Sequence, residues 1–370
     1  MEIYFILFAC LLLLLIIDRG KNSIKNFWPA FVFLFLIIAL RSQNVGTDTI
    51  SYVQCWHHTN FYYDGQPTDK GFELYLRILH SIGSSTGYFI IVSSLLPMFG
   101  VLCLINNYSK YKIDSLFFFS CSGTIFVFML LYLNAMRQVN AMGLVMIGLY
   151  FFYKQDRFYW RYFLLSLLCF GLAISFHGSS AIVIPFLFVN KFFKLSKYIV
   201  IIAIVVTYIV GATGVFHLSD MFSLINLGNS DFSKYQGYTE TMTFGAAESF
   251  GIINMFSLPF SLIMIYITVF QDKAVLENWM YKWLFVGIIL SNLLIDNLMW
   301  GRLTMYFTIL SIVVFPNYLR TIRFKYKNII YGAVIFFFLR KVVIVIMGAQ
   351  LHSALFNINT EVPYETWLSW

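Results

Sequence analysis

Four arginines and one histidine stand where a membrane segment tolerates them least. Arg41, Arg137, Arg302 and Arg340, with Lys341 beside the last, abut or interrupt apolar runs, and His177 splits the run AISFHGSSAIVIPF. Ionisable groups in lipid are costly and are functional candidates by default. A guanidinium is always charged and grips phosphate oxygens through a planar fork. Several of them at one depth point to a polyanion site, although any single arginine at a helix end can equally snorkel to headgroups. His177 can equally be a core histidine bonded to a neighbouring helix. The break beside it, Gly178-Ser179-Ser180, favours a site, because irregular backbone at depth is tolerated only inside protein or along a wet cavity.

The depths follow from the loops. Arg41 lies 16 residues after Lys25, Arg137 17 before Lys154, His177 16 after Arg161, Arg302 18 before Arg320, and Arg340 13 after Lys327. At about 1.5 Å per helical residue, the five groups stand roughly 20–27 Å above the face that carries those basic loops. The depth argument also brings in Tyr306. Asp48, seven residues past Arg41 and just after the turn-forming Gly46 and Thr47, is a candidate base for an attacking hydroxyl. It is equally placed to cap the helix that follows. Glu73 and Arg77 most simply pair on one helix face. Asp64, Asp69, Asp220, Asp231, Glu240 and Glu248 read as solvated acids of outer loops.

The elements that must hold these groups are membrane helices. Of 370 residues, 60% are hydrophobic and 11% charged, less than half the charge of a soluble domain at about 25%. Apolar segments are expected near 3–17, 27–40, 87–105, 115–133, 135–153, 162–176, 179–190, 198–214, 251–270, 283–299, 303–319 and 328–347. The fold class is therefore all-α, a polytopic integral membrane protein of about 12 transmembrane or half-membrane helices in a single domain over 1–370. The segment 3–17 reads as a retained helix, not a cleaved leader.

Six short loops hold 17 of the 25 basic residues, so the +8 formal charge reflects topology and does not indicate nucleic acid. These loops share the cytoplasmic side, which leaves both termini extracytoplasmic. Two long extracytoplasmic loops remain, 41–86 and 215–250. The stretch Gly71–Ile82 in the first has the pattern of an amphipathic surface helix. In the second, Tyr235, Tyr238 and Phe244 can stack on sugar faces or touch the membrane. The five cysteines form no CxxC pattern, and HExxH, P-loop and GxGxxG motifs are absent. No metal site and no cofactor is expected.

Four segments in order, RSQNVGTDTISY, DKGFELYLRIL, LNAMRQVNAMGL and FHGSSAIVIPF, resemble signatures of the EpsG family, which groups with the Wzy-type O-antigen and polysaccharide polymerases of bacterial envelopes. One departure is Lys70, where proline is common. The resemblance implies a GT-C-like, metal-independent membrane glycosyltransferase in the bacterial inner (plasma) membrane, with its active site facing the periplasm or exterior. It would move a growing glycan from undecaprenyl diphosphate to the non-reducing end of a new undecaprenyl-diphosphate-linked repeat unit. It leaves room for a chain-length regulator protein as partner.

Carried over by residue, the resemblance points to Arg41, Gly46, Asp48, Tyr52, Gly71, Phe72, Arg137, Gln138, His177 and Ser179. Arg302, Tyr306 and Arg340 come from depth. Arg137 and Arg302, then Arg41 and Arg340, are expected to stabilise the leaving diphosphate, with Asp48 or His177 as base. Gly46, Tyr52, Gln138, Ser179 and Tyr306 are expected to bind substrate. An O-antigen ligase would use the same donor with another acceptor. A lipid-linked oligosaccharide flippase would bind the same anion without chemistry, but such transporters usually carry paired halves, and no internal repeat is found here.

Overall fold

A computed structural model describes residues 2–18, 24–58, 62–63, 66–67, 69–124, 127–154, 159–188, 193–213, 246–294, 301–356, 360 and 363–367. The expected outer loop 215–250, with Tyr235, Tyr238 and Phe244, lies outside these residues except for the helical backbone of 246–250. The described chain is helical apart from one hairpin, Tyr62–Tyr63 paired with Gln66–Pro67. Its helices are apolar, as a membrane-embedded protein requires. The chain divides into two compact units, one of Met1–Ser122, Val127–Ile184 and Ile329–Trp370, the other of Gly123–Phe126 and Pro185–Asn328.

The first unit contains α1 (Glu2–Asp18), α2 (Ile24–Ala39), α3 (Thr49–His57), α4 (Lys70–Ile82), α5 (Thr86–Tyr108), α6 (Lys112–Cys121), α7 (Phe128–Asn134), α8 (Met136–Tyr153) and α9 (Trp160–Phe176). Its central helix is α8, buried on nearly every side between α5 and α9. The α5 and α8 backbones meet at Gly100 and Gly143, where a Cβ on Gly143 would stand 2.7 Å from Pro97 Cα. Such close approach of small residues is how helices associate where lipid offers no hydrophobic drive. Asn140 of α8 donates to Ser93 O at 3.2 Å, so its amide is bonded within the protein interior. By contrast α9 buries Ser166, Phe170, Ala173 and Phe176 and exposes Leu164, Leu165, Leu167, Leu168 and Leu172, a leucine face suited to lipid.

Two expected segments are corrected. The run 115–133 is not one helix. It breaks after α6 at Ser122, whose backbone is extended, and Gly123, at φ 145°. Flanking phenylalanines hide this short polar break in a hydropathy reading. The run 179–190 forms a 3₁₀ segment, Gly178–Phe186, after α9 ends at an extended His177. Pro185 cannot donate into an α-helical ladder there. The expected break at His177 is therefore present. The helix Gly71–Ile82 forms as α4, but it buries Phe72, Leu76 and Leu79 in protein while Leu74, Ile78 and Ile82 remain exposed.

The second unit packs α10 (Lys197–Thr213) and α11 (Ala246–Phe270) around α13 (Trp279–Leu293), which follows the single turn α12 (Ala274–Glu277). Some of its interior polar groups pair with one another. Asn292 accepts from Ser261 Oγ at 3.1 Å and donates to Thr207 Oγ1 at 3.3 Å. A 3₁₀ turn, Arg302–Thr304, leads into α14 (Met305–Thr308) and α15 (Ser311–Leu319), bent by 44° from the preceding piece. The long α16 (Lys327–Phe356) opens in this unit and continues into the first. There Tyr331 donates to Asp114 of α6, and Phe338 meets Phe118 edge-on at 5.6 Å. Among the described residues, α5 and Lys327–Gln350 are long and apolar enough to cross a bilayer, and the bent Arg302–Leu319 pair passes the same test as one broken span.

Candidate active site

The first unit has two chemically distinct ends. At one, Lys112 donates to Asn106 Oδ1 at 2.7 Å, and Lys154 and Arg161 lie over the Tyr162 ring at 5.1 and 4.7 Å. At the other end the last turns of α2, α7 and α9 meet the first turns of α5 and α8. Arg41, Gly46, Asp48, Tyr52, Arg137 and His177 stand at this second end.

The loop after α2 is pinned to the α7–α8 junction. Asn134 Oδ1 accepts from the backbone N–H of Asp48 at 2.7 Å, its Nδ2 donates to Thr47 Oγ1 at 2.8 Å, and Thr49 Oγ1 donates to Leu133 O at 3.0 Å. Gly46 makes this possible. It sits at φ 97°, and a Cβ there would lie 2.6 Å from Leu133 O. Asp48 occupies the N-cap position of α3, yet its side chain makes no cap bond, so the capping role weighed for it is not the one observed.

The far end of α3 is held by Trp56, which donates to Ser84 O at 2.9 Å and stacks on Phe89 at 4.8 Å. Tyr52 is thereby buried against α8, where its phenol hydrogen-bonds Arg137. Burial pushes the Tyr52 phenol up, and the Arg137 guanidinium only partly opposes this, so Tyr52 stays a neutral hydrogen-bonding group. Burial also pushes the Cys55 thiol up to about 11, which removes it as a nucleophile.

The residue that organises the cluster is Asp69, which is not the solvated acid its polar loop suggests. Its Oδ2 lies 3.3 Å from Arg137 Nη1 and 3.8 Å from His177 Nδ1. Asp69 is the N-cap residue of α4, but its carboxylate makes no cap bond and faces Arg137 and His177 instead. A cap of this kind is typically worth about 1 kcal/mol, so another interaction directs the side chain.

The helix behind Asp69 is seated by the next two residues. Gly71 lies so close to α9 that a Cβ would fall 2.7 Å from Ser175 O. Phe72 is enclosed by Tyr52 and Phe176, each edge-on with centroids 6.0 Å away. The side chains of Asp69, Arg137 and His177 are 36, 21 and 22% exposed, so the cluster is recessed but open.

Gln138 is buried in α8 beside Arg137, and Ser179 is in the 3₁₀ segment two residues beyond His177. Arg41 is only 1% exposed. Its Nη1 donates to Ile38 O at 2.5 Å and to Ser94 Oγ at 3.3 Å. A cation on the last carbonyls of a helix is a capping arrangement, which gives Arg41 a structural role on α2. Arg340 is exposed on α16 and Lys341 beside it is buried. Arg302 and Tyr306 belong to the second unit. Tyr306 is fully buried there.

A model of the EpsG family matches residues 26–366. The chain belongs to the EpsG family. No curated protein and no solved structure matches it. The EpsG match spans nearly the whole chain, including both the Arg137–Asp69–His177 cluster and residues 363–366, which pack beside the end of α2. EpsG proteins are associated with glycosyltransferase or polymerase activity in polysaccharide biosynthesis. Of the four motifs that resemble the family's, RSQNVGTDTISY supplies the pinned loop and Tyr52. DKGFELYLRIL supplies Asp69 and its seat, LNAMRQVNAMGL supplies Asn134 and Arg137, and FHGSSAIVIPF supplies His177. Four stretches far apart in sequence thus converge on one end of one unit.

Proposed function

We propose that the chain is a Wzy-type polysaccharide polymerase with a GT-C-like membrane fold of about 12 crossings. In this reading it transfers a growing glycan from undecaprenyl diphosphate to the non-reducing end of a fresh undecaprenyl-diphosphate-linked repeat unit. The site faces away from the cytoplasm, because the opposite end carries the basic loops that mark the cytoplasmic side. The observation that carries the reading is the open Arg137–Asp69–His177 constellation in a membrane protein of the EpsG family.

The chemistry follows from these three groups. The acceptor hydroxyl oxygen forms a bond to the donor's anomeric carbon as the bond from that carbon to the diphosphate oxygen breaks. Negative charge grows on the departing lipid diphosphate, and Arg137 is the preorganised cation that stabilises it. The hydroxyl proton goes to His177, with Asp69 facing Nδ1 and leaving Nε2 as the acceptor. Asp69 also fixes Arg137, so one carboxylate aligns the base and the cation that meets the leaving group. Asp48, half-exposed beside Tyr52, is assigned to the acceptor sugar's other hydroxyls. The cationic role needs no metal ion in this scheme.

Cells lacking the chain are expected to lose long glycan and accumulate single lipid-linked repeat units, as seen by lipid extraction and gel analysis. An unchanged glycan ladder would count against polymerisation. Loss of glycan transfer to a final acceptor, with long lipid-linked chains still made, would point to a ligase.

A further inference from the structure

The loop that carries Gly46 and Asp48 is clamped from two sides, and only one of them is the α7–α8 junction. The other is formed by Thr360 and residues 363–367, more than 300 residues away in sequence. Arg41 and Thr366 form an antiparallel bridge, flanked by Ser42 N–H to Glu365 O at 2.8 Å and Trp367 N–H to Leu40 O at 3.2 Å. The Glu365 carboxylate accepts from Asn44 Nδ2 at 3.1 Å and from Ser42 Oγ at 3.4 Å. Thr360 O accepts from Gly46 N–H at 2.8 Å.

The segment is itself anchored. Tyr364 donates to Ile37 O at 2.7 Å and meets Tyr4 edge-on at 5.9 Å. The Trp367 ring lies against Gly87 at the start of α5, so close that a Cβ there would stand 2.9 Å from it.

We infer that Thr360 and residues 363–367 form a strap that positions the active-site loop, with Glu365 its principal side chain. This rests on the polymerase reading above for its catalytic consequence, but not for its structure. The chain of contacts is continuous. The strap holds 42–46, the loop continues into Asp48 and α3, and α3 delivers Tyr52 to Arg137. Glu365 touches no candidate catalytic group and is a positioning residue. A misplacement of about 1 Å at reacting groups can cost up to roughly 10²-fold in rate, so loosening the loop acts on turnover without removing any catalytic atom.

The test has two arms. Amide hydrogen exchange on the purified full chain, wild type against Glu365→Ala, is expected to speed at 42–49 and stay unchanged in α8. Unchanged exchange at 42–49 overturns the strap whether or not the chain polymerises. The second arm measures polymer formation by the Ser42→Cys, Glu365→Cys double variant. Paired residues on neighbouring antiparallel strands have Cα atoms roughly 5.5 Å apart, within disulfide range. The reduced double variant is expected to lose about tenfold or more in turnover, and oxidation is expected to restore it to near the wild-type value. A reductant should leave the wild type unaffected. Equal turnover of the oxidised, reduced and wild-type forms would overturn the positioning role.

Discussion

Replacing Arg137 with alanine is expected to abolish chain growth while the protein stays folded and inserted. The guanidinium sits in the first turn of α8, paired with Asp69 at 3.3 Å and bonded by Tyr52. Removing one preorganised group that meets growing negative charge typically costs about 10²–10³ in turnover, enough to collapse a glycan ladder to single units. Lysine should fail as well, because a point charge does not reproduce the fork that grips two phosphate oxygens. Its partner Asp69 is 36% exposed, so removing Arg137 does not strand a fully buried charge, and membrane levels should match wild type. Normal ladders from either variant would remove Arg137 from the mechanism.

Asp69→Asn is expected to be nearly as damaging, with a loss of about 10²-fold or more in polymer formed per protein. The amide keeps the shape of the side chain and discards the charge that faces both Arg137 and His177. The helix it begins does not depend on it, because the carboxylate makes no cap bond and α4 is seated by Gly71 and Phe72. A variant with wild-type membrane levels and no polymer is therefore the expected outcome. Loss of the folded protein would instead assign Asp69 to structure, and full activity would remove it from the site. Asp48→Asn should be milder, since the links that pin its loop to Asn134 run through the backbone N–H and Thr47.

The sequence makes the helices legible because lipid forces long apolar runs and basic loops mark one side. Arg137 and His177, taken from loop offsets, do share a partner. That partner was hidden because Asp69 sits in a polar loop where an acid is unremarkable. Its signal lies in the motif DKGFELYLRIL itself, of which Gly71 and Phe72 carry over as site residues and the acid that opens it does not. Arg41 shows the opposite failure. Depth alone cannot separate a guanidinium that faces substrate from one that caps α2 from within.

The strap was not readable because its bonds are mostly backbone to backbone across 320 or so positions, and such pairing leaves no residue pattern. The α6–α7 break was missed because Ser122-Gly123-Thr124 is too short to lower the hydropathy of its phenylalanine-rich surroundings.

The most direct measurement is turnover by the purified protein in lipid nanodiscs, supplied only with undecaprenyl-diphosphate-linked repeat units. The wild-type chain is expected to build a ladder of lipid-linked glycans and release undecaprenyl diphosphate in step with each linkage, and the Arg137→Ala and Asp69→Asn chains are expected to do neither. Repeat units that bind or cross the bilayer without lengthening, or ladders made equally well by both variants, would contradict the account.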